Sequence, residues 1–221
     1  MIDLLKTVRD LKTKAKNRRD DGLFQQGVDF AQEAIALLER ELADASSQEW
    51  RSQVAAELAD CYGIIGGIQR RWGLALDGKE RLLHLEASRD AYEKGYGCER
   101  EENCGVVNSY NLVNRLVGRV LLDPAIELDE DLRQAKDIVK AQLVQKRKGD
   151  IWALADMALL RILLREADAV SAWAAFRGAQ PPDYAYGSVL ETLQPLAELE
   201  LPVRAELASS IELLKADWDE L

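Results

Sequence analysis

The residue types that most often carry acid–base catalysis or bind metal ions are scarce in this sequence of 221 residues. His84 is the single histidine, and the three cysteines, Cys61, Cys98 and Cys104, lack the paired spacing of a zinc knuckle. A general base, an orienting base and a zinc ligand would all compete for one imidazole. The sequence therefore predicts no metal site and no cofactor, with a zinc site built from all four residues as the alternative.

Carboxylate pairs are the remaining candidates for catalysis. Glu101-Glu102 and Asp129-Glu130-Asp131 lie at predicted loop and helix-start positions, where acidic groups favour the helix dipole. No G-x-S-x-G, no H-E-x-x-H and no glycine-rich phosphate loop occurs. We therefore expect a protein that is not an enzyme.

Two segments are richer in glycine and asparagine than helix packing alone requires. Residues 61–72 place three glycines inside a helical pattern and end in Arg70-Arg71-Trp72. Each glycine costs about 1 kcal/mol relative to alanine, so such glycines usually indicate close contact between helices. Asn108, Asn111 and Asn114 are spaced three apart and form a polar ridge on one helix face. Buried amides need partners, which are either backbone carbonyls of the next hairpin or a ligand.

The elements that position these residues are predicted to be helices. Apolar residues recur at i, i+3, i+4 and i+7 through most of the chain, and only three threonines are present, which argues against a sheet. Ten helices joined by short loops suggest five stacked antiparallel hairpins. The predicted helices are 2–19, 22–44, 48–74, 79–96, 105–122, 129–147, 150–165, 168–178, 187–199 and 202–219.

Charge and hydropathy exclude two classes of partner. The net charge is -10, although residues 1–19 carry seven Lys and Arg against two Asp, so we expect no nucleic-acid binding and a solvated basic helix. The longest uncharged run, 103–114, is far shorter than the ~20 residues that span a bilayer. The N-terminus lacks the apolar stretch of a secretory signal. The expectation is a cytoplasmic protein without membrane contact.

Five sequence blocks, taken together in order and spacing over residues 50–200, resemble a divergent tetratricopeptide family. This is the sensor-type repeat domain of bacterial conflict and signalling proteins, which is similar to the central, TRAF-binding region of apoptosis signal-regulating kinases. The blocks are Gly66–Trp72, Ala87–Gly97, Asn108–Leu112, Asp150–Trp152 and Ala169–Phe176.

The resemblance implies a single all-α domain, residues 1–221, folded as a right-handed solenoid of antiparallel helical hairpins. It implies a regulatory module that binds a partner protein, senses a nucleotide-derived signal and controls an effector on a separate chain. The alternative is a structural adaptor between proteins that binds no small molecule.

The concave face of such a solenoid offers side chains from successive helices to one ligand. The predicted binding residues are Arg70, Arg71, Trp72, Asn108, Tyr110, Asn111 and Trp152. The arginines would contact anions, the aromatic rings would stack and the asparagines would form hydrogen bonds. The structural alternatives are packing between hairpins for both tryptophans, surface cations for both arginines and a core position for Tyr110.

Overall fold

The computed structural model describes residues 2–101 and 109–219, and all regular structure in these ranges is helical. This confirms the all-α prediction. The ten α-helices of the described ranges are α1 (Ile2–Asp20), α2 (Phe24–Asp44), α3 (Gln48–Leu74), α4 (Gly78–Glu101), α5 (Tyr110–Leu122), α6 (Asp129–Gln145), α7 (Ile151–Leu163), α8 (Trp173–Gly178), α9 (Asp183–Ala197) and α10 (Arg204–Asp219).

Two helix starts follow from side-chain caps that the sequence contains. The Ser47 hydroxyl accepts a hydrogen bond from the Trp50 amide at 3.2 Å and opens α3. The Asp150 carboxylate accepts from the Ala153 amide at 2.9 Å and opens α7. Each cap satisfies a backbone donor that the first helical turn leaves unpaired.

The predicted helix 168–178 is wrong in its first half, which is a 3₁₀ turn, Ala169–Ala172, before α8. Asp168 has a φ of 56°, and its carbonyl accepts from the Ser171 amide at 2.9 Å and from the Ser171 hydroxyl at 2.6 Å. Both bonds span three residues, so the chain winds more tightly than an α-helix here.

Within the described ranges, two further boundaries differ from the prediction by more than two residues. The fourth helix continues to Glu101 rather than ending at residue 96, and Gly95 within it faces the Asn111 side chain. The ninth begins at Asp183 rather than at residue 187, directly after the extended backbone of Pro182. Of the predicted helix 105–122, residues 110–122 are helical, and residues 105–108 lie outside the described ranges.

The chain divides into two compact units, Met1–Gly118 and Arg119–Leu221, which we call the first and the second unit. The boundary falls within α5. The prediction that residues 1–221 form one domain stays a prediction.

In the first unit, α1 pairs with α2 and α3 pairs with α4. The two helices of the second pair are antiparallel: Ser88 donates to the Gly66 carbonyl at 2.7 Å, while Gly73 lies against Arg81. In contrast, α1 and α3 run parallel, since Lys12 pairs with Asp60 and, eleven residues further along α3, Arg71 pairs with Asp20.

In the second unit, α6 pairs with α7 and α9 pairs with α10. Its core contains an aromatic series in which Phe176 meets Trp173 at 5.8 Å and Tyr186 at 5.4 Å between ring centroids, both edge-on. The described residues thus form four hairpins rather than the predicted five, because α8 is only six residues long and α5 packs against α3 and α4.

Candidate functional site

The glycines of α3 bring two tyrosines against its backbone. A Cβ atom on Gly66 would lie 2.8 Å from ring carbons of Tyr92, and one on Gly63 would lie 3.0 Å from ring carbons of Tyr110. At Gly67, the nearest atom would be the Tyr110 hydroxyl oxygen at 3.1 Å. The prediction that these glycines mark close helix contact is confirmed.

Asn111 fixes α5 in the groove between α3 and α4. Its side chain is 1% exposed, and its amide nitrogen Nδ2 donates to the Ala59 carbonyl at 3.0 Å. Cβ atoms on Gly63 and Gly95 would lie within 2.8 Å of its amide atoms. The Asn111 oxygen Oδ1 has no hydrogen-bond partner among the described residues. Of the two alternatives for this amide, the backbone carbonyl is the partner that the structure provides.

Arg70 is a buried part of the same arrangement. The side chain is 8% exposed, and its Nη1 donates to Asn114 Oδ1 at 2.5 Å. In turn, Asn114 Nδ2 donates to the Tyr110 carbonyl at 2.8 Å. The surface-cation alternative is therefore wrong for Arg70, whose guanidinium is tied through Asn114 to the first turn of α5.

The two tyrosines form a pair with one buried and one exposed member. Their rings meet edge-on with centroids 5.5 Å apart, and their hydroxyl oxygens are 3.3 Å apart. Burial and the neighbouring Tyr110 raise the pKa of Tyr92 well above its ordinary value, while the charges of Arg70 and Arg19 act in the opposite direction. Tyr92 is completely buried, whereas Tyr110 is 39% exposed. The core alternative for Tyr110 is therefore wrong, since more than a third of this residue is exposed.

A group of arginines lies at the C-terminal ends of α1 and α3, and we call Arg18, Arg19, Arg70 and Arg71 the arginine cluster. Asp20 Oδ1 accepts hydrogen bonds from Arg71 Nη1 at 2.8 Å and from Arg19 Nε at 2.9 Å. Arg18 pairs with Asp21 at 3.1 Å.

Asp20 responds electrostatically to this cluster. Burial acts to raise the pKa of its carboxyl group, but hydrogen bonds and charge from Arg19 and Arg71 outweigh burial and lower the pKa below its ordinary value. Its side chain is 55% exposed. Asp20 is thus an ionised, accessible counter-ion of Arg19 and Arg71.

Trp72 is already engaged in packing between helices. Its ring stacks on His84 with centroids 4.0 Å apart and lies 5.9 Å from Phe24. His84 Nδ1 is 2.6 Å from Gln69 Oε1, which holds the imidazole in place. These contacts favour the packing alternative for Trp72.

Trp152 belongs to the second unit and is not part of the arrangement around α5. It is 38% exposed and lies 6.3 Å from Tyr184, which is 68% exposed. The remaining predicted residue, Asn108, lies outside the described ranges, so its role stays a prediction.

Five residues of the site were not singled out as binding residues from the sequence, namely Arg18, Arg19, Asp20, Asp21 and Tyr92. Tyr92 does fall within the block Ala87–Gly97, and the run of two arginines and two aspartates at 18–21 is visible in the sequence. Neither signal reveals that α1 and α3 end side by side.

Metal-binding and membrane-spanning features are absent from the parts of the chain that the structure describes. Within them, no group of three or more His, Cys, Asp and Glu side chains is arranged to hold a metal ion. Cys61 is buried, and burial raises the pKa of its thiol to about 12. Across the same residues, no helix has both the length and the apolar character to cross a membrane.

Comparison with known proteins identifies the family of the helical repeat. No curated protein and no solved structure matches the chain significantly. The family model described as Tetratricopeptide Repeats-Sensor matches residues 1–122, which span α1 to α5. This match includes the arginine cluster, Tyr92, Tyr110 and Asn111. The similarity to apoptosis signal-regulating kinases is not confirmed. The chain belongs to the Tetratricopeptide Repeats-Sensor family.

Proposed function

We propose that this protein is a regulatory module whose first unit binds a nucleotide-derived anion and thereby controls an effector on a separate chain. The observation that carries the proposal is the partly exposed Tyr110, held over α3 in the same unit as the arginine cluster. The family is one of sensor repeats, which agrees with a binding role rather than with catalysis.

Each residue has a distinct role in this proposal. Tyr110 stacks on the base, because an exposed aromatic face accepts any nucleobase. Arg71 and Arg19 bind phosphate, for which a guanidinium offers bidentate hydrogen bonds. Asp20 pairs with both arginines and its side chain is 55% exposed, so a phosphate can reach the guanidiniums and take the place of this carboxylate.

The buried residues position this surface and do not touch the ligand. Arg70 and Asn111 hold the first turn of α5, and Tyr92 places the Tyr110 hydroxyl. Asn108 would add a hydrogen bond from the segment that precedes α5. Trp72 contributes to packing between helices. Trp152 lies on the surface of the second unit.

The test is a thermal-shift screen against ATP, cyclic AMP and ADP-ribose. A ligand well above its dissociation constant adds a few kcal/mol to the free energy of unfolding, so the wild type is expected to melt several degrees higher with one probe. Arg71→Gln should abolish this shift while leaving the melting temperature without ligand nearly unchanged. Arg70 is unsuitable for this test, because its replacement would also remove a buried hydrogen bond.

The matched control is Arg40→Gln, which removes the same charge from an exposed position on α2 of the same unit. This variant should keep the full shift. Loss of the shift in both variants would indicate a general charge effect, and the absence of a shift with every probe would overturn the nucleotide proposal.

A specific observation favours the second candidate, an adaptor without a small ligand. Trp152 and Tyr184 form an exposed aromatic pair on the second unit, and such residues dominate the energy of protein interfaces. If no probe shifts the melt and a host protein is recovered with the wild type but not with Trp152→Ala, the adaptor becomes the preferred function.

A further inference from the structure

The second unit contains a cavity of about 580 Å³ that lies beyond the part of the chain matched by the family. It is open to solvent on one side and is lined by the end of α5, the connections before α6 and α10, the start of α6 and the end of α7. Its walls are mainly aliphatic, with Val120, Leu128, Leu132, Leu163, Leu201 and Val203 among them. This volume is within the range of pockets that hold small organic molecules.

The charged groups on the cavity wall are predominantly acidic. Glu127, Asp129 and Glu200 face a single cation, Arg165. Asp129 accepts from Arg165 Nη2 at 3.3 Å through both carboxylate oxygens, and from Arg133 at 3.1 Å. Among the described residues, no ion pair involves Glu127 or Glu200, so two carboxylates remain to attract a cation.

Arg165 occupies an unusual backbone conformation at the end of α7. Its φ is 58°, in the left-handed region that residues other than glycine seldom adopt. Backbone hydrogen bonds close this turn, from the Arg165 amide to Ile162 and from the Glu166 amide to Arg161. The result is that a long cationic side chain lies at the cavity over Asp129, where a helix end would ordinarily carry glycine.

We propose that this cavity binds a small amphiphilic cation, with an apolar body against the aliphatic wall and a protonated amine among Glu127, Asp129 and Glu200. The amine displaces Arg165 from Asp129. This ion pair is exposed on both sides, 57% for Arg165 and 45% for Asp129, so its loss costs little. An anionic ligand of the same shape would instead meet an excess of carboxylates. This inference is independent of the function proposed for the first unit.

The test compares three probes that share one hydrocarbon skeleton: 4-phenylbutylamine, 4-phenylbutanol and 4-phenylbutyrate. Each is titrated into the full-length protein while methyl resonances of leucine and valine are followed by NMR. The amine should shift the methyl groups of Leu132 and Val203 at the lowest concentration, the alcohol should need more and the carboxylate should leave them unchanged. Equal effects of amine and carboxylate, or no shift of these methyl groups at millimolar amine, would overturn the proposal.

Two variants test whether the carboxylates of the cavity contribute to binding of the amine through their charge. Glu127→Gln combined with Glu200→Gln should weaken the amine about fivefold and leave the alcohol unaffected, because only the amine gains from the carboxylates. Glu212→Gln, on the exposed side of α10, is the matched control and should change neither probe. An unchanged amine affinity in the double variant would contradict the assigned role of these carboxylates.

Arg165→Gly should change the affinity for the amine in the opposite direction. It removes the internal competitor for Asp129 and suits the left-handed backbone, so the amine should bind more tightly without loss of thermal stability. Weaker amine binding in this variant would overturn the displacement step. The protonated amine could also belong to a lysine side chain of a peptide. An amidated peptide with one lysine flanked by leucines tests this source. If the peptide binds more tightly than 4-phenylbutylamine, the natural cation is a lysine side chain.

Discussion

At the scale of single residues, Asn111 determines how α5 packs. It is buried to 1% exposure between two glycines, and its amide bonds the Ala59 carbonyl of α3. A larger side chain would not fit between Gly63 and Gly95, and a smaller one would leave a cavity and remove the bond. The position of Tyr110, one residue earlier, therefore depends on this amide.

We predict that Asn111→Ala lowers the free energy of unfolding by about 2 kcal/mol, because it removes a buried hydrogen bond and leaves a void. Asn111→Asp should be more destabilising at neutral pH, since it buries a carboxylate without a cationic partner. Urea unfolding followed by circular dichroism measures both. An alanine variant as stable as the wild type would mean that α5 does not require this amide.

Adjacent arginines show why the site was only partly predictable from sequence. Arg70 is buried against Asn114, whereas Arg71 lies near the surface and pairs with Asp20. Neighbouring residues on a helix point in different directions, and the periodic pattern does not reveal which direction faces α5. The partners lie 44 and 51 residues away, at distances in sequence that only the fold brings together.

At the scale of elements, the glycines of α3 allow helices to approach more closely than other side chains permit. Gly66 is the tightest contact with α4, since an added Cβ would meet three ring carbons of the buried Tyr92 at 2.8 Å. Intrinsic helix propensity favours alanine over glycine by about 1 kcal/mol. Packing must therefore outweigh propensity at this position.

We predict that Gly66→Ala destabilises the protein by about 1–3 kcal/mol, as expected for overpacking a buried contact. The matched control is Gly178→Ala at the exposed end of α8, where an added Cβ meets no atom within 4 Å. This variant should be about 0.5 kcal/mol more stable than the wild type. Thermal unfolding of both separates the two effects, and stabilisation by Gly66→Ala would contradict the packing account.

Helix positions were largely predictable because apolar periodicity and caps are local signals. The bounds of α3, 48–74, were predicted to the residue, and Ser47 supplies its cap. The errors arise where distant contacts or turn geometry decide. An example is the 3₁₀ turn that starts from the left-handed Asp168.

At the scale of the whole molecule, each unit contains a carboxylate whose pKa is lowered by cations. In the first unit this is Asp20, where arginine contacts outweigh burial. In the second unit it is Glu166, where the hydrogen bond from Lys136 dominates, burial opposes it and Arg161 adds to it. A lowered folded-state pKa means that the unfolded chain takes up the proton first as the pH falls.

We predict that stability is lost as the pH falls below the ordinary carboxyl values of 3.8 for Asp20 and 4.5 for Glu166. Asp20→Asn and Glu166→Gln should be less stable than the wild type at neutral pH, and each difference should vanish in acid as the wild-type group is protonated. Glu130→Gln, where the side chain is 77% exposed, is the control and should change little. Melting temperature against pH measures this, and differences that persist in acid would contradict it.

The all-helical class and the family were accessible from the sequence, because apolar periodicity extends through most of the chain and three of the five blocks lie within the matched residues 1–122. The blocks Asp150–Trp152 and Ala169–Phe176 lie beyond that match. The division between residues 118 and 119 was not accessible from the sequence. It falls inside α5, where no linker rich in glycine, proline or serine marks it. The cavity of the second unit was not predictable either, because its lining comes from five separate stretches between Val120 and Val203.

The central claim is that Tyr110 and Arg71 together bind a nucleotide-derived anion. Calorimetric titration of ADP-ribose and of its fragment adenosine into the wild type, Arg71→Gln and Tyr110→Ala tests it most directly. Arg71→Gln should weaken ADP-ribose about tenfold and leave adenosine unchanged, whereas Tyr110→Ala should weaken both about tenfold. Binding of ADP-ribose that is equal in all three proteins, or absent from the wild type, would contradict the assignment.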